Sequence, residues 1–145
     1  MELISVYIET TDFNKSINFY NQILQTEPIV YCENRWVEYD KGNRFSIYNK
    51  EYDEELLNKE INSTEKYNEA YINDFNTEIL ERKNNIITLD FYTEDLKNEY
   101  QRIKKLNIGT VSKIMYVNIV EPYCYFNITD SDGNLLEICS NKHEE

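Results

Sequence analysis

Apolar and polar side chains alternate with a period of two at residues 3–9 and again at residues 86–92. Ile4, Val6 and Ile8 are set against Ser5, Tyr7 and Glu9, and Ile87, Leu89 and Phe91 against Thr88, Asp90 and Tyr92. That period predicts strands with two unlike faces, over Leu3 to Glu9 and Ile86 to Tyr92. Each is followed by a helical stripe: Phe13, Ile17, Tyr20, Ile23 and Leu24 after Asp12, and Leu96, Tyr100, Ile103 and Leu106 after Asp95. The two aspartates are N-caps, because a carboxylate at that position accepts from free backbone N–H groups of the first turn. Asn107 to Gly109 ends the second helix. Shorter extended segments follow, at Ile29 to Cys32, Trp36 to Tyr39 and Arg44 to Tyr48, then at Thr110 to Met115, Tyr123 to Thr129 and Leu135 to Ser140. Gly42-Asn43 and Gly133-Asn134 mark tight turns that tolerate positive φ.

The chain therefore states one pattern twice. Asp95 lies 83 positions after Asp12 and Gly133 lies 91 after Gly42, and the flanking residues keep step at both offsets. A repeat of this kind predicts two similar modules, each strand, helix, then three strands. The fold class is α+β: two βαβββ modules forming a curved mixed sheet with helices on the outer face. One domain is expected over residues 1–145, with module one at 1–48, a partly helical insert at 49–84 and module two at 85–141. Within the insert, Tyr67, Tyr71, Phe75 and Ile79 recur every fourth residue, predicting an amphipathic helix that starts near Asn62 or Ser63. It is either an outer helix, a flap over a site, or an assembly surface.

Composition narrows the partners. The 27 acidic and 15 basic residues give a net charge of −12, which repels phosphate backbones and anionic headgroups. No nucleic acid and no membrane partner is expected. Cys32, Cys124 and Cys139 show neither CxxC spacing nor an even count, so they are expected as free thiols in a reducing compartment. No apolar run has membrane-spanning length, and Met-Glu-Leu leads directly into strand pattern. A cytoplasmic protein is the expectation.

With Ser16 and Phe19-Tyr20 in the first helix and Asp130-Ser131-Asp132-Gly133-Asn134-Leu135-Leu136-Glu137 near the end, the duplicated chain resembles the vicinal oxygen chelate superfamily. That superfamily includes glyoxalase I, extradiol dioxygenases, fosfomycin resistance enzymes and bleomycin resistance proteins. The resemblance implies a cleft built by two half-barrels, with metal ligands in many members on the first and last strands of each half. Those places fall here on Ser5, Ser46, Thr88 and Glu137, of which only Glu137 is a competent ligand. Catalytic transition-metal sites need about three imidazole or carboxylate donors. The single histidine, His143, sits near the end of the sequence. No metal and no cofactor is therefore expected.

The alternation assigns Ser5, Tyr7, Ser46, Tyr48, Thr88, Asp90, Tyr92 and Glu137 to a ligand-binding face. Tyr125 joins them by analogous phase, as do Trp36, Glu38 and Tyr123, and Cys139 shares the face of Glu137. Aromatic faces bind flat or cationic compounds, and carboxylates attract amines. The expectation is a metal-free binder of a neutral or cationic aromatic molecule, acting as a homodimer, as the resemblance to bleomycin resistance proteins implies. Sequestration of a toxic compound is its concrete form. The alternative is a lyase or isomerase of the same fold using Glu137 as general base or metal ligand. Cys139 lacks a histidine to activate it and is expected to pack rather than react. Asp130, Asp132 and Asn134 echo a calcium loop with the glycine misplaced, and are expected to form a turn.

Overall fold

The computed structural model describes residues 5–59, 66–67, 72, 87–118 and 122–140, without the side chains of residues 118 and 122. The chain divides into two compact units, Met1–Arg82 and Lys83–Glu145.

In the first unit, β1 (Val6–Thr10) leads into α1 (Phe13–Leu24), followed by β2 (Val30–Cys32), β3 (Trp36–Lys41) and β4 (Asn43–Asn49). The Asp12 carboxylate accepts from the Lys15 amide at 3.0 Å, so the helix starts where the sequence predicts. Gln25 closes it in the left-handed region at φ 51°. The strand order is β1-β4-β3-β2, with β1 parallel to β4 and the other pairs antiparallel. The β3–β4 hairpin turns on Gly42 at φ 92°, a conformation that costs glycine little because it has no Cβ. Tyr20 of α1 packs on Phe45 of β4 at 4.7 Å between ring centroids, and Tyr39 stacks on Phe45. Ile8, Val37, Tyr39, Phe45 and Ile47 thus form the buried helix side of the sheet.

The second unit repeats the plan with β5 (Thr88–Tyr92), α3 (Leu96–Leu106), β6 (Thr110–Val111), β7 (Met115–Asn118), β8 (Pro122–Thr129) and β9 (Leu135–Ser140). Asp95 caps α3 by accepting from the Asn98 amide at 2.9 Å, and Asn107 ends it at φ 50°. The order is β5-β9-β8-β6, with β7 also on β8 and only β5–β9 parallel. Tyr100 of α3 meets Phe126 edge-on at 5.1 Å, above Ile103, Ile128, Leu136 and Ile138. The expected duplication and α+β class are the observed ones, with βαβββ in the first unit and a fourth strand after the helix in the second.

Three details differ from the sequence reading. β1 and β5 begin at Val6 and Thr88, and Ser5 lies outside the strand. The segment expected as one strand over Thr110 to Met115 is two, because both β6 and β7 pair with β8, at its opposite ends. In the insert, a helix follows β4 at once: α2 (Lys50–Asn58), whose buried residue is Asp53 rather than an apolar stripe. Of the predicted stripe Tyr67, Tyr71, Phe75 and Ile79, only Tyr67 is among the described residues, and His143 lies outside them. No described helix is long and apolar enough to cross a membrane.

Candidate functional site

Strand alternation puts two rows of side chains on the face of the first sheet opposite α1. The pairings set Tyr7 beside Ser46 and Ser46 beside Glu38, and in the next row Glu9 beside Tyr48 and Tyr48 beside Trp36. Tyr7 and Trp36 flank β4 on opposite sides, yet their ring centroids are 5.3 Å apart. Since two strand spacings amount to about 10 Å, the rings lean together across β4. Tyr48 meets Tyr7 edge-on at 6.3 Å. Tyr7 keeps 54% of its surface exposed, while Ser46 between its neighbours is 0% exposed.

Tyr48 is held from its far end. Its hydroxyl donates to Asp53 Oδ2 at 2.6 Å, and the Tyr67 hydroxyl donates to Oδ1 at 2.6 Å. Arg35 grips the same carboxylate through Nε and Nη2, each at 2.8 Å, and its guanidinium lies 5.1 Å from the Tyr48 ring centroid. Asp53 is 0% exposed, and a carboxylate removed from water is tolerable only with this many donors. Neither Arg35 nor Asp53 was legible as a site-supporting residue. The signal available was a polar stretch directly after the strand that holds Tyr48, with Arg35 the one basic residue in the β2–β3 turn.

On the second sheet the equivalent rows are Asp90, Glu137 and Asn127, then Tyr92, Cys139 and Tyr125. Tyr123 donates its hydroxyl to Glu137 Oε1 at 2.6 Å and packs against Tyr125 with centroids 5.5 Å apart. Burial, then the bond to Glu137, pushes the Tyr123 phenol far above the ordinary tyrosine value. Burial likewise pushes the Cys139 thiol up, so it stays protonated and weakly nucleophilic. Asp130 accepts from the Asp132 and Asn134 amides at 2.9 and 2.8 Å and from Asn134 Nδ2 at 2.8 Å. These bonds occupy the carboxylate in shaping the β8–β9 turn.

The predicted residues thus fall into two groups. Tyr7, Ser46 and Tyr48 come together with Trp36 and Glu38 on one sheet face; Thr88, Asp90, Tyr92, Tyr125 and Glu137 share a face of the other. The strand registers set Tyr7 opposite Ser46 and Asp90 opposite Glu137, so Ser5 and Thr88 each sit one same-face step away from those pairs. Among the described residues, no group of three His, Cys, Asp or Glu side chains is placed to hold a metal ion. At the places that the resemblance gives to metal ligands, Ser5, Ser46 and Thr88 offer only hydroxyls, and the Glu137 carboxylate is bonded to Tyr123. Such a donor set does not fit a resident transition metal.

Known structures share this architecture. A glyoxalase/bleomycin resistance protein/dioxygenase family enzyme from Burkholderia phytofirmans PsJN superposes with a TM-score of 0.69 at 14% identity, over 96% of this chain and 98% of that one. A bleomycin-binding protein complexed with bleomycin gives 0.60 at 12% identity, over 98% and 99%. A lactoylglutathione lyase from Agrobacterium tumefaciens gives 0.60 at 13%, over 95% and 92%. No protein-family model matches the chain, and no curated protein matches it in sequence. The chain has a glyoxalase/bleomycin-resistance-like fold.

Proposed function

We propose that this chain is a metal-free small-molecule-binding protein that holds a neutral or cationic aromatic compound rather than transforming it. The observation that carries the reading is the cluster of Tyr7, Trp36 and Tyr48 on the sheet face opposite α1, grouped over the buried hydroxyl of Ser46. Each stacked or edge contact with an aromatic ligand contributes about 0.5–1.5 kcal/mol, and a cation over a ring adds a similar amount. The net charge of −12 favours the approach of cations. A structural neighbour that binds bleomycin supports the use of this fold to hold an organic molecule.

Sequestration follows as the concrete role, in a cytoplasmic homodimer. Light scattering during size exclusion tests the assembly: a mass of twice 17.5 kDa is expected, and a monomer at working concentration contradicts it. Trp36 is the sole tryptophan, so its fluorescence reports on the site directly. A panel of aromatic amines is expected to quench it saturably and to raise the melting temperature. Absence of both effects across the panel removes the reading.

A second reading rests on the 2.6 Å bond that the Tyr123 hydroxyl donates to the Glu137 carboxylate. In this reading Glu137 is a general base of a lyase or isomerase. Its mark is turnover abolished in Glu137→Gln while Trp36 quenching persists.

A further inference from the structure

Among the described residues, three buried side-chain polar atoms lack a hydrogen-bond partner: Ser46 Oγ, Glu38 Oε1 and Asn127 Oδ1. Their distribution is ordered. Ser46 and Glu38 are directly paired across β4 and β3, and Asn127 occupies the corresponding place beside Glu137 across β8 and β9. All three project from the sheet face opposite the helix of their unit. Glu38 Oε1 and Asn127 Oδ1 can only accept, and a hydroxyl can accept as well. Buried acceptors are normally satisfied; Ser46 Oγ and Glu38 Oε1 stand side by side on one row, and Glu38 Oε1 has the Arg44 ion pair but no hydrogen-bond donor.

We propose that Ser46 and Glu38 form an ammonium subsite, and that the ligand is a protonated primary or secondary amine carried on an aromatic ring. This rests on the binding reading above and names its substrate class. The amine donates one N–H to Glu38 Oε1 and another to Ser46 Oγ, while the rings of Tyr7 and Trp36 present their faces to the charge. Tyr7, half-exposed, turns aside to admit it. Arg44 Nη1 lies 2.9 Å from Glu38 Oε1 but not in hydrogen-bonding geometry, and its side chain is 60% exposed against 12% for Glu38. Arg44 projects from the same face of β4 as Ser46; in this proposal the ammonium takes over its ion pair with Glu38 and the mostly exposed guanidinium turns to water. Two oxygens of this kind are too few for a transition metal and sufficient for an ammonium.

The test titrates Trp36 fluorescence with 2-phenylethylamine, 2-phenylethanol and trimethyl(2-phenylethyl)ammonium at neutral pH. The amine is expected to bind about tenfold more tightly than the alcohol, the scale of one charge-assisted hydrogen bond. The trimethyl compound keeps the charge but has no N–H, and is expected to fall well below the amine. Glu38→Gln brings amine and alcohol to near-equal affinity, and Ser46→Ala weakens the amine alone, each with an unchanged circular dichroism spectrum. Equal affinity of amine and alcohol for the native protein overturns the subsite and leaves the aromatic-binding reading standing. So does a trimethyl compound as tight as the amine, or a folded Glu38→Gln that retains the full preference. Failure of all three compounds to quench Trp36 overturns both.

Discussion

The two halves lay down one backbone plan and fill it with opposite chemistry. Where the first half sets Tyr7, Ser46 and Glu38 in a row, the second sets Asp90, Glu137 and Asn127. The first row is roofed by aromatic rings around a hydroxyl without a partner; in the second the central carboxylate is satisfied by a tyrosine of its own sheet. A duplicated scaffold fixes where side chains point, because strand register and pleat are backbone properties. What those side chains can hold is then decided one residue at a time. The first half also carries α2, whose Asp53 fastens Arg35, Tyr48 and Tyr67, a support with no counterpart among the described residues of the second.

The sharpest way to break that asymmetry is Asp53→Ala. It takes from the buried Tyr48 hydroxyl its bond to the carboxylate and from Arg35 its fork, and is expected to cost about 3 kcal/mol in urea denaturation. Arg35 is 39% exposed and can turn to water, which keeps the loss below that of a fully buried pair. Trp36 quenching by an aromatic amine should weaken in parallel, since Tyr48 loses its orientation.

Alkaline titration reaches both halves at once. Burial raises the Tyr39 and Tyr123 phenols well above their ordinary value. The native state therefore keeps protons that the unfolded chain releases from about pH 10 upward, and stability falls as pH climbs through that value. Melting temperatures from pH 8 to 11 should decline beyond pH 10. The phenylalanine variant at position 39, Tyr39→Phe, should flatten the decline.

The equivalent caps sharpen the likeness rather than the difference. Asp12→Ala and Asp95→Ala should each cost about 1 kcal/mol, because each removes one acceptor from a first-turn amide. A cost confined to one of them contradicts the structural repeat. Smallest of all is Ser46→Ala: its hydroxyl has no partner to lose, so denaturation should be unchanged within about 0.5 kcal/mol.

Much of this was legible in the sequence for physical reasons. Asp12 and Asp95 announce helices because a cap is local, and Ile8, Val37, Phe45 and Ile47 announce strands because one face of a sheet must be apolar. α2 was not legible, since a helix whose inward residue is Asp53 shows no apolar stripe. Its stability comes from Arg35, which precedes it by 18 positions, and no local pattern encodes that pairing. Tyr7 and Asp90 were assigned to the correct face, while their standing opposite Ser46 and Glu137 depended on strand register, which alternation leaves open by steps of two. Trp36 and Glu38 were placed only by phase, and their importance emerged from the rings leaning across β4 and from an acceptor with no donor.

The most direct measurement is a Trp36 fluorescence titration with 2-phenylethylamine on protein purified without chelators, repeated after dialysis against EDTA. Binding through rings, Ser46 and Glu38 predicts two superimposable, saturable curves. Quenching lost after EDTA and restored by zinc or manganese would contradict it.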